Sequence, residues 1–490
     1  RGVIAEYDRH RFDEYTIFSR IGNGSIGGKA RGLAFIDSMI KKNNIMNMWD
    51  DVVVTIPRTV VLTTDVFDEF MEDNNLYRVA LSNLTDDEIL KHFINSRLPY
   101  RIHEDLLAFI SVINNPVAVR SSSLLEDSHY QPFAGVYSTY MIPNNHDDEN
   151  VLLLQLGNAI KSVYASVFYK FSKAYMKATR NVIDAEKMGI VLQEVCGSAY
   201  GNNFYPTISG VARSINFYPI EPEKAEDGVV SIAMGLGKHI VDGGISLRFS
   251  PAYPQKIIQL SNVSSALKET QKYFYSLNLE GKNVITSVDD SVNLNKRPIK
   301  EAEKEGTLKK VASTYDFENE MLRDGTNIKG KRVITFSQIL KHNTFPLADI
   351  VKTLLEVGAR EMNKPIEIEF AVNLNVPKGK PKIFNLLQIR PIVETDETIN
   401  CKIEEIDQNE CIIRCDSALG NGIVNDLTDI VYIKPESFDA AKTKDIALAV
   451  EEINQQFVEA DKNYILIGPG RWGSSDPWLG IPVNWAQICQ

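Results

Sequence analysis

The alternation of apolar and polar residues along the chain predicts a protein of mixed strands and helices. Residues 52–56, 117–119 and 189–193 are short apolar runs bounded by turn residues, as is typical of buried strands. Two further strands are predicted at residues 366–370 and 383–387. These five segments are spread over more than 300 residues, so any sheet they share must be built from distant parts of the chain.

Helices are predicted where apolar residues recur every three or four positions. After a glycine cluster at residues 22–28, the residues Ala30, Leu33, Ala34 and Ile36 or Ile40 fall on one helix face. Residues 151–180 form a longer amphipathic stretch, and the polar, Lys-rich region 260–345 is also expected to be helical. Residues 15–20, directly before the glycine cluster, are a poor strand candidate.

Length and composition agree with several folded domains. At about 150 residues per domain, a chain of 490 residues predicts about three domains. With 44% hydrophobic and 24% charged residues, each domain can bury a core, which excludes wholesale disorder. An acidic, polar stretch near residues 394–400 predicts a linker, and the last ninety or so residues are expected to form a separate small α/β unit.

Charge and cysteine content narrow the classes of partner and compartment. The formal charge is 53 − 64 = −11, which argues against broad binding to nucleic acid or to an anionic membrane. No apolar run approaches the ~18–20 residues that span a bilayer, and residues 1–6 contain no hydrophobic signal core. The five cysteines are few and odd in number, so we expect reduced thiols and a cytoplasmic protein. Because the chain begins at Arg1 rather than Met, we expect a processed product or an excised piece.

The glycine cluster has more than one interpretation. Gly22-Asn23-Gly24-Ser25-Ile26-Gly27 matches the dinucleotide fingerprint G-x-G-x-x-G, but that fold needs a clean strand just before it. A phosphate-loop motif also fails, because Ala30 replaces the Ser or Thr that would hold Mg²⁺. A plain turn capping a helix remains an alternative. Lys29 at the start of the helix favours phosphate binding, since backbone N–H groups and an ammonium would then converge on one point.

Arg120 ends the strand at 117–119 and is followed by Ser121-Ser122-Ser123 and, further on, by Gly135 and Thr139. An arginine that leaves a buried strand into a hydroxyl-rich loop is suited to holding an anion. An ordinary loop in which Arg120 pairs with Glu126 or Asp127 is an equally good interpretation of these residues alone.

Two carboxylates and two nitrogen-bearing side chains alternate on the last two predicted strands. Glu367 and Glu369 face one side of the first strand, and Gln388 and Arg390 face one side of the second. Inward-facing carboxylates are costly unless a cation or hydrogen bonds satisfy them, so this set suits a Mg²⁺-bound polyphosphate. A salt-bridge ladder on the surface is the alternative.

Taken in order, these segments resemble the nucleotide-binding part of the phosphoenolpyruvate synthase and pyruvate phosphate dikinase family. The matching motifs are Gly27-Gly28-Lys29, Val119-Arg120-Ser121-Ser122, Glu126-Asp127, Phe133-Ala134-Gly135, Leu192-Gln193-Glu194-Val195, Ser209-Gly210-Val211-Ala212, Gly235-Leu236-Gly237, Ile368-Glu369-Phe370 and Leu387-Gln388-Ile389-Arg390-Pro391. The resemblance covers roughly residues 20–395 and implies an α+β, two-lobed fold of the ATP-grasp type. The expected division is residues 1–185 for one lobe, 186–396 for the other and 400–490 for the small C-terminal α/β domain.

The resemblance also implies roles for single residues, with ATP and Mg²⁺ as cofactors. Lys29 and Arg120 would hold the ATP phosphates and, with Arg390, form the catalytic set, while the loop from Gly135 to Thr139 would close over them. Gln193, Glu194 and Val195 would meet the adenine at the hinge between the lobes. Glu369, with Glu367, would coordinate Mg²⁺, and Gln388 and Arg390 would steady the γ-phosphate end. We assign no direct ligand contact to Gly235-Leu236-Gly237.

Members of this family pass phosphate from ATP to a histidine on a swivelling domain and then to a substrate such as pyruvate. None of the seven histidines here has the expected Thr-Ser/Cys-His setting, and Asp476 stands near the place of that histidine in Gly468-Pro469-Gly470-Arg471-Trp472-Gly473 and the residues after it. The C-terminal unit therefore resembles a degenerate swivelling domain, and the phosphoryl acceptor is expected outside this chain. A non-catalytic nucleotide sensor or scaffold that has lost the acceptor histidine is the alternative function.

Overall fold

A computed structural model describes residues 4–10, 17–123, 136–178, 186–216, 219–280, 284–392, 411–413, 427–460, 462–473, 480–484 and 487–488. The chain divides into two compact units. The larger unit comprises Arg1–Val167 and Lys187–Ile392, and the smaller comprises Phe168–Glu186 and Val393–Gln490.

Strands and helices alternate irregularly along the larger unit. Its strands are β1 Ala5–Glu6, β2 Phe18–Ile21, β3 Val52–Thr55, β4 Thr59–Leu62, β5 Val117–Ser123, β6 Thr139–Ile142, β7 Met188–Glu194, β8 Ser198–Tyr200, β9 Asn203–Tyr205, β10 Ile208–Arg213, β11 Val229–Ala233, β12 Leu247–Phe249, β13 Tyr273–Asn278, β14 Leu294–Pro298, β15 Ala312–Asp316, β16 Met321–Asp324, β17 Lys331–Ile334, β18 Ile366–Asn373 and β19 Lys382–Pro391. The helices of the chain as far as Met362 are α1 Gly27–Lys42, α2 Thr64–Asp73, α3 Tyr77–Ala80, α4 Asp86–Ile94, α5 His103–Val112, α6 Glu149–Ser166, α7 Lys170–Ala178, α8 Lys238–Val241, α9 Val263–Lys268, α10 Leu308–Val311, α11 Ser337–Leu340 and α12 Leu347–Met362. Of these helices, α7 belongs to the smaller unit.

The first large sheet has the strand order β1-β2-β4-β7-β5-β6. Its first three strands run parallel, whereas β4, β7, β5 and β6 pair antiparallel. The apolar runs at 117–119 and 189–193 lie side by side at its centre as β5 and β7, because both faces of these strands are buried. The mixed directions distinguish this sheet from the parallel sheet of a dinucleotide-binding fold.

The second large sheet has the order β12-β11-β10-β18-β19-β3. All neighbours are antiparallel except β3, which pairs parallel with β19. Strand β3 therefore comes from the N-terminal part of the chain and completes a sheet built mainly from its later part. Helix α1 buries Leu33, Ile36 and Ile40 in a core that also contains Ile368 and Leu386 of this sheet.

Most predicted elements are confirmed, with two corrections. The five predicted strands correspond to β3, β5, β7, β18 and β19, and the helix after the glycine cluster is α1. Residues 18–21, within and just after the segment judged a poor strand, do form strand β2. The region 260–345, expected to be helical, contains strands β13 to β17, and its helices are short.

The smaller unit contains strands β20 Asp429–Tyr432, β21 Tyr464–Ile467, β22 Arg471–Trp472 and β23 Gly480–Ile481 with helix α13 Thr443–Glu459. Strands β20 and β21 are parallel, as are β22 and β23. A small core joins Ala447 and Val450 of α13 to Ile481 and Val483.

One helical stretch of the described residues, Glu149–Lys177, is long and apolar enough to cross a membrane by length and composition. Because 78% of its apolar window is buried inside the protein, the stretch is weak evidence for a membrane span and has the character of a core helix.

Candidate functional site

The guanidinium of Arg120 binds groups from both large sheets. Its Nη1 donates to the side-chain oxygen of Gln193 on β7 at 3.2 Å and to the carbonyl of Leu387 on β19 at 3.0 Å. Its Nη2 donates to Gln388 Oε1 at 3.0 Å and lies 3.4 Å from Glu369 Oε2. The described partners of Arg120 are at least 70 positions away in the chain, whereas Glu126 and Asp127, the partners in the alternative interpretation, lie outside the described residues.

An irregularity in the second sheet provides one of these acceptors. Glu369 of β18 pairs with Gln388 of β19, but the next residue, Phe370, pairs with Leu386. Leu387 is thus an extra residue in β19, and a bulge of this kind redirects backbone groups away from the ladder. Its carbonyl is therefore available to accept from Arg120.

A cavity of about 380 Å³ lies beside Arg120. Six of the residues proposed from the sequence line it, namely Arg120, Thr139, Gln193, Glu194, Val195 and Glu369. The remainder of the wall is largely apolar, with Met141, Val211, Leu236, Phe370 and Leu387 among its residues. A cavity with an apolar wall and a few convergent polar groups is typical of small-molecule sites.

Lys29 lies in the first turn of α1 and is not among the residues that line this cavity. Its Nζ donates to Ser121 Oγ at 2.9 Å, so it is attached to the residue next to Arg120 on β5. The glycine cluster allows this approach, because Gly27 has a φ of +74° and a Cβ there would lie 1.7 Å from the Ser122 carbonyl oxygen. The start of α1 is therefore packed directly against β5.

Glu367 is bound by two arginines on the neighbouring strands. Its Oε1 accepts from Arg390 Nε at 2.8 Å and from Arg390 Nη2, and its Oε2 accepts from Arg213 Nε at 2.6 Å. Burial by itself raises the pKa of Glu367, but the positive charges of Arg390 and Arg213 lower that pKa overall. Both carboxylate oxygens are thus occupied by guanidinium groups, and neither Glu367 nor Arg390 lines the cavity.

Gln193 and Glu194, which the resemblance assigned to the hinge, are both held by hydrogen bonds. Gln193, which is buried, donates through Nε2 to Thr59 Oγ1 at 3.2 Å. Glu194 Oε1 accepts from Asn115 Nδ2 at 2.8 Å. Burial raises the pKa of Glu194, and Arg58 and the Asn115 bond offset the increase in part.

Three residues of the site were not proposed from the sequence. Arg213 directly follows the Ser209-Gly210-Val211-Ala212 motif, and Lys238 directly follows Gly235-Leu236-Gly237. Both could have been proposed from the sequence, because each is a charged residue next to a family motif. Lys238 and Asp290 line the cavity, as do Leu236 and Gly237, to which no ligand contact was assigned. Asp290 lies in a region without any recognisable motif.

Several predictions concern residues outside the described ones, namely Gly135 of the phosphate loop, the motif residues Glu126, Asp127, Phe133 and Ala134, the linker at 394–400 and Asp476 of the C-terminal unit. Among the histidines that the structure describes, none lines the cavity. His239 is close by in sequence to Lys238, but its ring bonds to the Ile245 carbonyl at 2.9 Å, and burial lowers its pKa.

Two comparisons with known proteins bear on the family of the chain. The chain is 30% identical over 202 residues to a Bacillus subtilis (strain 168) protein described as "Uncharacterized phosphotransferase YvkC". That alignment covers 39% of this chain and 20% of the relative, so the chain spans about a fifth of the length of this curated relative. Residues 23–411 match the AMP/ATP-binding domain of pyruvate phosphate dikinase. Since this match covers most of the chain, the chain belongs to the pyruvate phosphate dikinase AMP/ATP-binding domain family, whose fold is of the α+β, ATP-grasp type.

Proposed function

We propose that this chain binds MgATP in the cavity beside Arg120 and serves as the ATP-using part of a phosphotransferase. The single observation that supports this most is the bridging position of Arg120, which joins the two sheets by hydrogen bonds to Gln193, Gln388 and the Leu387 carbonyl. A guanidinium fixed in this way presents its charge at a constant place, as phosphate recognition requires.

The lining of the cavity suits both parts of ATP. Met141, Val195, Leu236 and Phe370 offer apolar surface to the adenine, and the backbone of Glu194 and Val195 would meet its edge. Arg120 and Thr139 would hold the phosphates. Lys29 and Arg390 do not line the cavity, so each would leave its partner, Ser121 or Glu367, to reach the phosphates.

Mg²⁺ fits this site as an ion that binds together with ATP, rather than in a site made of protein ligands alone. Among the described residues no group of three His, Cys, Asp or Glu side chains could hold a metal by itself. Mg²⁺ is commonly held by one or two carboxylates together with substrate phosphates. Glu369 faces the cavity and would supply a carboxylate oxygen. Gln388 lies beside it, but its Oε1 accepts from Arg120 at 3.0 Å, and both oxygens of Glu367 accept from arginines. The ion would neutralise charge on the phosphates.

Phosphoryl transfer needs little covalent chemistry from the protein. Positioning of the terminal phosphate and stabilisation of its charge supply most of the catalysis in such reactions. Arg120, Lys29 and Arg390 would do both here, and the apolar wall of the cavity would exclude water. We place the acceptor outside this chain, a histidine on the route to pyruvate by analogy with the family, and the protein in the cytoplasm.

Calorimetric titration of the chain with MgATP tests the binding step. Lys29→Met should weaken binding about 10-fold or more, because a charge-assisted phosphate contact contributes about 1.5–3 kcal/mol. Lys41→Met is the matched control, since Lys41 lies on the same helix and pairs with Asp37 at 2.7 Å on the surface. Absence of MgATP binding by the unchanged chain would contradict the proposed function.

Incubation with ATP labelled at the β- or γ-phosphate then separates a phosphotransferase from a sensor. Release of labelled phosphate or transfer of label, in the presence of the histidine-bearing domain of a family member, is the expected result. Intact ATP after prolonged incubation with such an acceptor would instead favour the non-catalytic sensor.

A further inference from the structure

A second positively charged side chain, Lys238, faces the same cavity as Arg120. It follows the Gly235-Leu236-Gly237 motif and opens the short helix α8. Its Nζ lies 3.2 Å from Asp242 Oδ1 and 3.7 Å from Asp290 Oδ1. All three side chains line the cavity, so the ammonium is accessible to whatever the cavity binds.

The carboxylate of Asp290 lies between this ammonium and a backbone donor. While Oδ1 faces Lys238, Oδ2 accepts from the backbone N–H of Thr139 at 2.9 Å. An ammonium and a main-chain N–H that converge on one anion are the groups from which phosphate sites are built. The internal carboxylate thus lies where an external anion would make the same two contacts.

Two features keep Lys238 charged and fix the segment that carries Asp290. Burial lowers the pKa of Lys238, but Asp290 and Asp242 raise it overall, so the side chain stays an ammonium. Tyr140, next to Thr139 on β6, donates through its hydroxyl to the Ser287 carbonyl at 2.7 Å. Residues 287–290 are therefore attached to β6 at two consecutive positions.

We propose that Lys238 and the backbone N–H of Thr139 form an additional phosphate subsite, which Asp290 occupies as an internal anion until a polyphosphate displaces it. This subsite rests on the proposed function for the identity of the ligand, but its two donors bind a bare polyphosphate equally well. Asp290 has opposing effects, because it orders the two donors and competes with the ligand for them. Net competition follows from charge, since a carboxylate beside a polyphosphate repels it.

Titration of the full chain with MgATP and, separately, with magnesium tripolyphosphate tests this subsite. Lys238→Met should weaken both ligands about 10-fold, and Lys238→Arg should restore most of the loss, because it keeps the charge. Asp290→Asn should tighten both ligands several-fold, because it removes the competing charge. Lys41→Met is again the control, since Lys41 is also in an i,i+4 pair with an aspartate and lies outside the cavity.

The outcomes distinguish this subsite from the proposed function. MgATP binding that Lys238→Met and Asp290→Asn leave unchanged, or that Asp290→Asn weakens, overturns the subsite alone. Tripolyphosphate binding with the expected variant effects, but no MgATP binding, supports the subsite and contradicts the nucleotide function. If neither ligand binds, both are contradicted. If Lys238→Met does not unfold cooperatively, the variant is not properly folded, and the affinities of Asp290→Asn and Lys238→Arg then decide whether the subsite exists.

Discussion

Two carboxylates two residues apart on β18 have different surroundings. Glu367 and Glu369 lie on the same face of the strand, as alternation requires. Glu367 is 7% exposed and accepts from Arg213 and Arg390, and we call these three residues the glutamate–arginine triad. Glu369 is 28% exposed, lies 3.4 Å from Arg120 and faces the cavity, and we call Glu369 and Arg120 the cavity pair.

The register of the neighbouring strands explains the difference. Glu367 is flanked by Arg213 on β10 and Arg390 on β19, whereas Glu369 is flanked by Val211 and Gln388. A carboxylate with two arginine neighbours is satisfied by the protein, and one with an apolar and an amide neighbour retains an oxygen for a ligand. Strand alternation thus decides which face a residue occupies, and cross-strand register decides what it can do there.

The largest expected effect is on the stability contributed by the glutamate–arginine triad. Glu367→Ala removes the shared partner of two arginines and should lower the free energy of unfolding by about 2–3 kcal/mol, less than for a fully buried ion pair because Arg213 is 48% exposed. Urea denaturation followed by circular dichroism measures the change. Glu301→Ala is the control, because Glu301 is 51% exposed and its partner Arg297 keeps a second carboxylate, Glu305, at 2.8 Å, so the loss should be at most about 0.5 kcal/mol. Equal effects of the two variants would show that the triad is not a structural unit.

The cavity pair should affect binding as well as stability, because Arg120 is 12% exposed and bonds to groups of both large sheets. Arg120→Met should weaken MgATP binding by about 1.5–3 kcal/mol, roughly 10- to 150-fold, because it removes the charge that bridges the two sheets. Arg323→Met is a matched control, since Arg323 is an exposed arginine with one carboxylate partner, Asp316, at 3.2 Å. Calorimetric titration and urea denaturation on the same samples separate the two effects. Unchanged affinity in Arg120→Met would remove the basis of the proposed site.

Magnesium dependence sharpens the contrast between the two glutamates. Glu369→Gln should weaken ATP binding about 10-fold in the presence of Mg²⁺ and should leave it equal or tighter in EDTA, since the lost charge helps the metal and repels bare phosphates. Titration with and without Mg²⁺ gives both numbers. A Glu367→Gln variant that loses Mg²⁺ dependence while Glu369→Gln keeps it would reverse the proposed roles of the two residues.

Much of this site was predictable because its residues lie on strongly apolar strands or directly after them. Arg120, Gln193 and Glu369 belong to β5, β7 and β18, whose buried faces leave a clear apolar pattern. The order of the motifs then indicated the family. Local sequence patterns were sufficient for these residues because the strand around each one is specified locally.

The remaining features depend on contacts between distant segments. Arg213 was missed because its role follows from pairing with Glu367, 154 residues away, and no local pattern encodes that register. Strands β14 and β16 in the region 260–345 were missed because they are largely exposed, so they lack the apolar alternation that marks a strand. Asp290 lies within this region, and its contact with Thr139 spans 151 residues.

The smallest expected effect is on the pH dependence of stability, because burial opposes the arginines at Glu367. Since the folded state lowers the pKa of Glu367 below its ordinary value of 4.5, its contribution to stability is present above that pH and is lost as the pH falls below it. The contribution of Glu194 to stability changes with pH in the opposite direction. Burial raises its pKa above 4.5, so stability declines as the pH rises above 4.5. Urea denaturation from about pH 3 to pH 7 measures the free energy of unfolding at each pH. Glu367→Gln should reduce the fall in this free energy below about pH 4.5, whereas Glu194→Gln should reduce the fall above about pH 4.5. Parallel pH profiles of the free energy of unfolding for the two variants would contradict this expectation. They would mean that Glu367 and Glu194 share one kind of environment, although arginines bind the first and burial with the Asn115 amide surrounds the second.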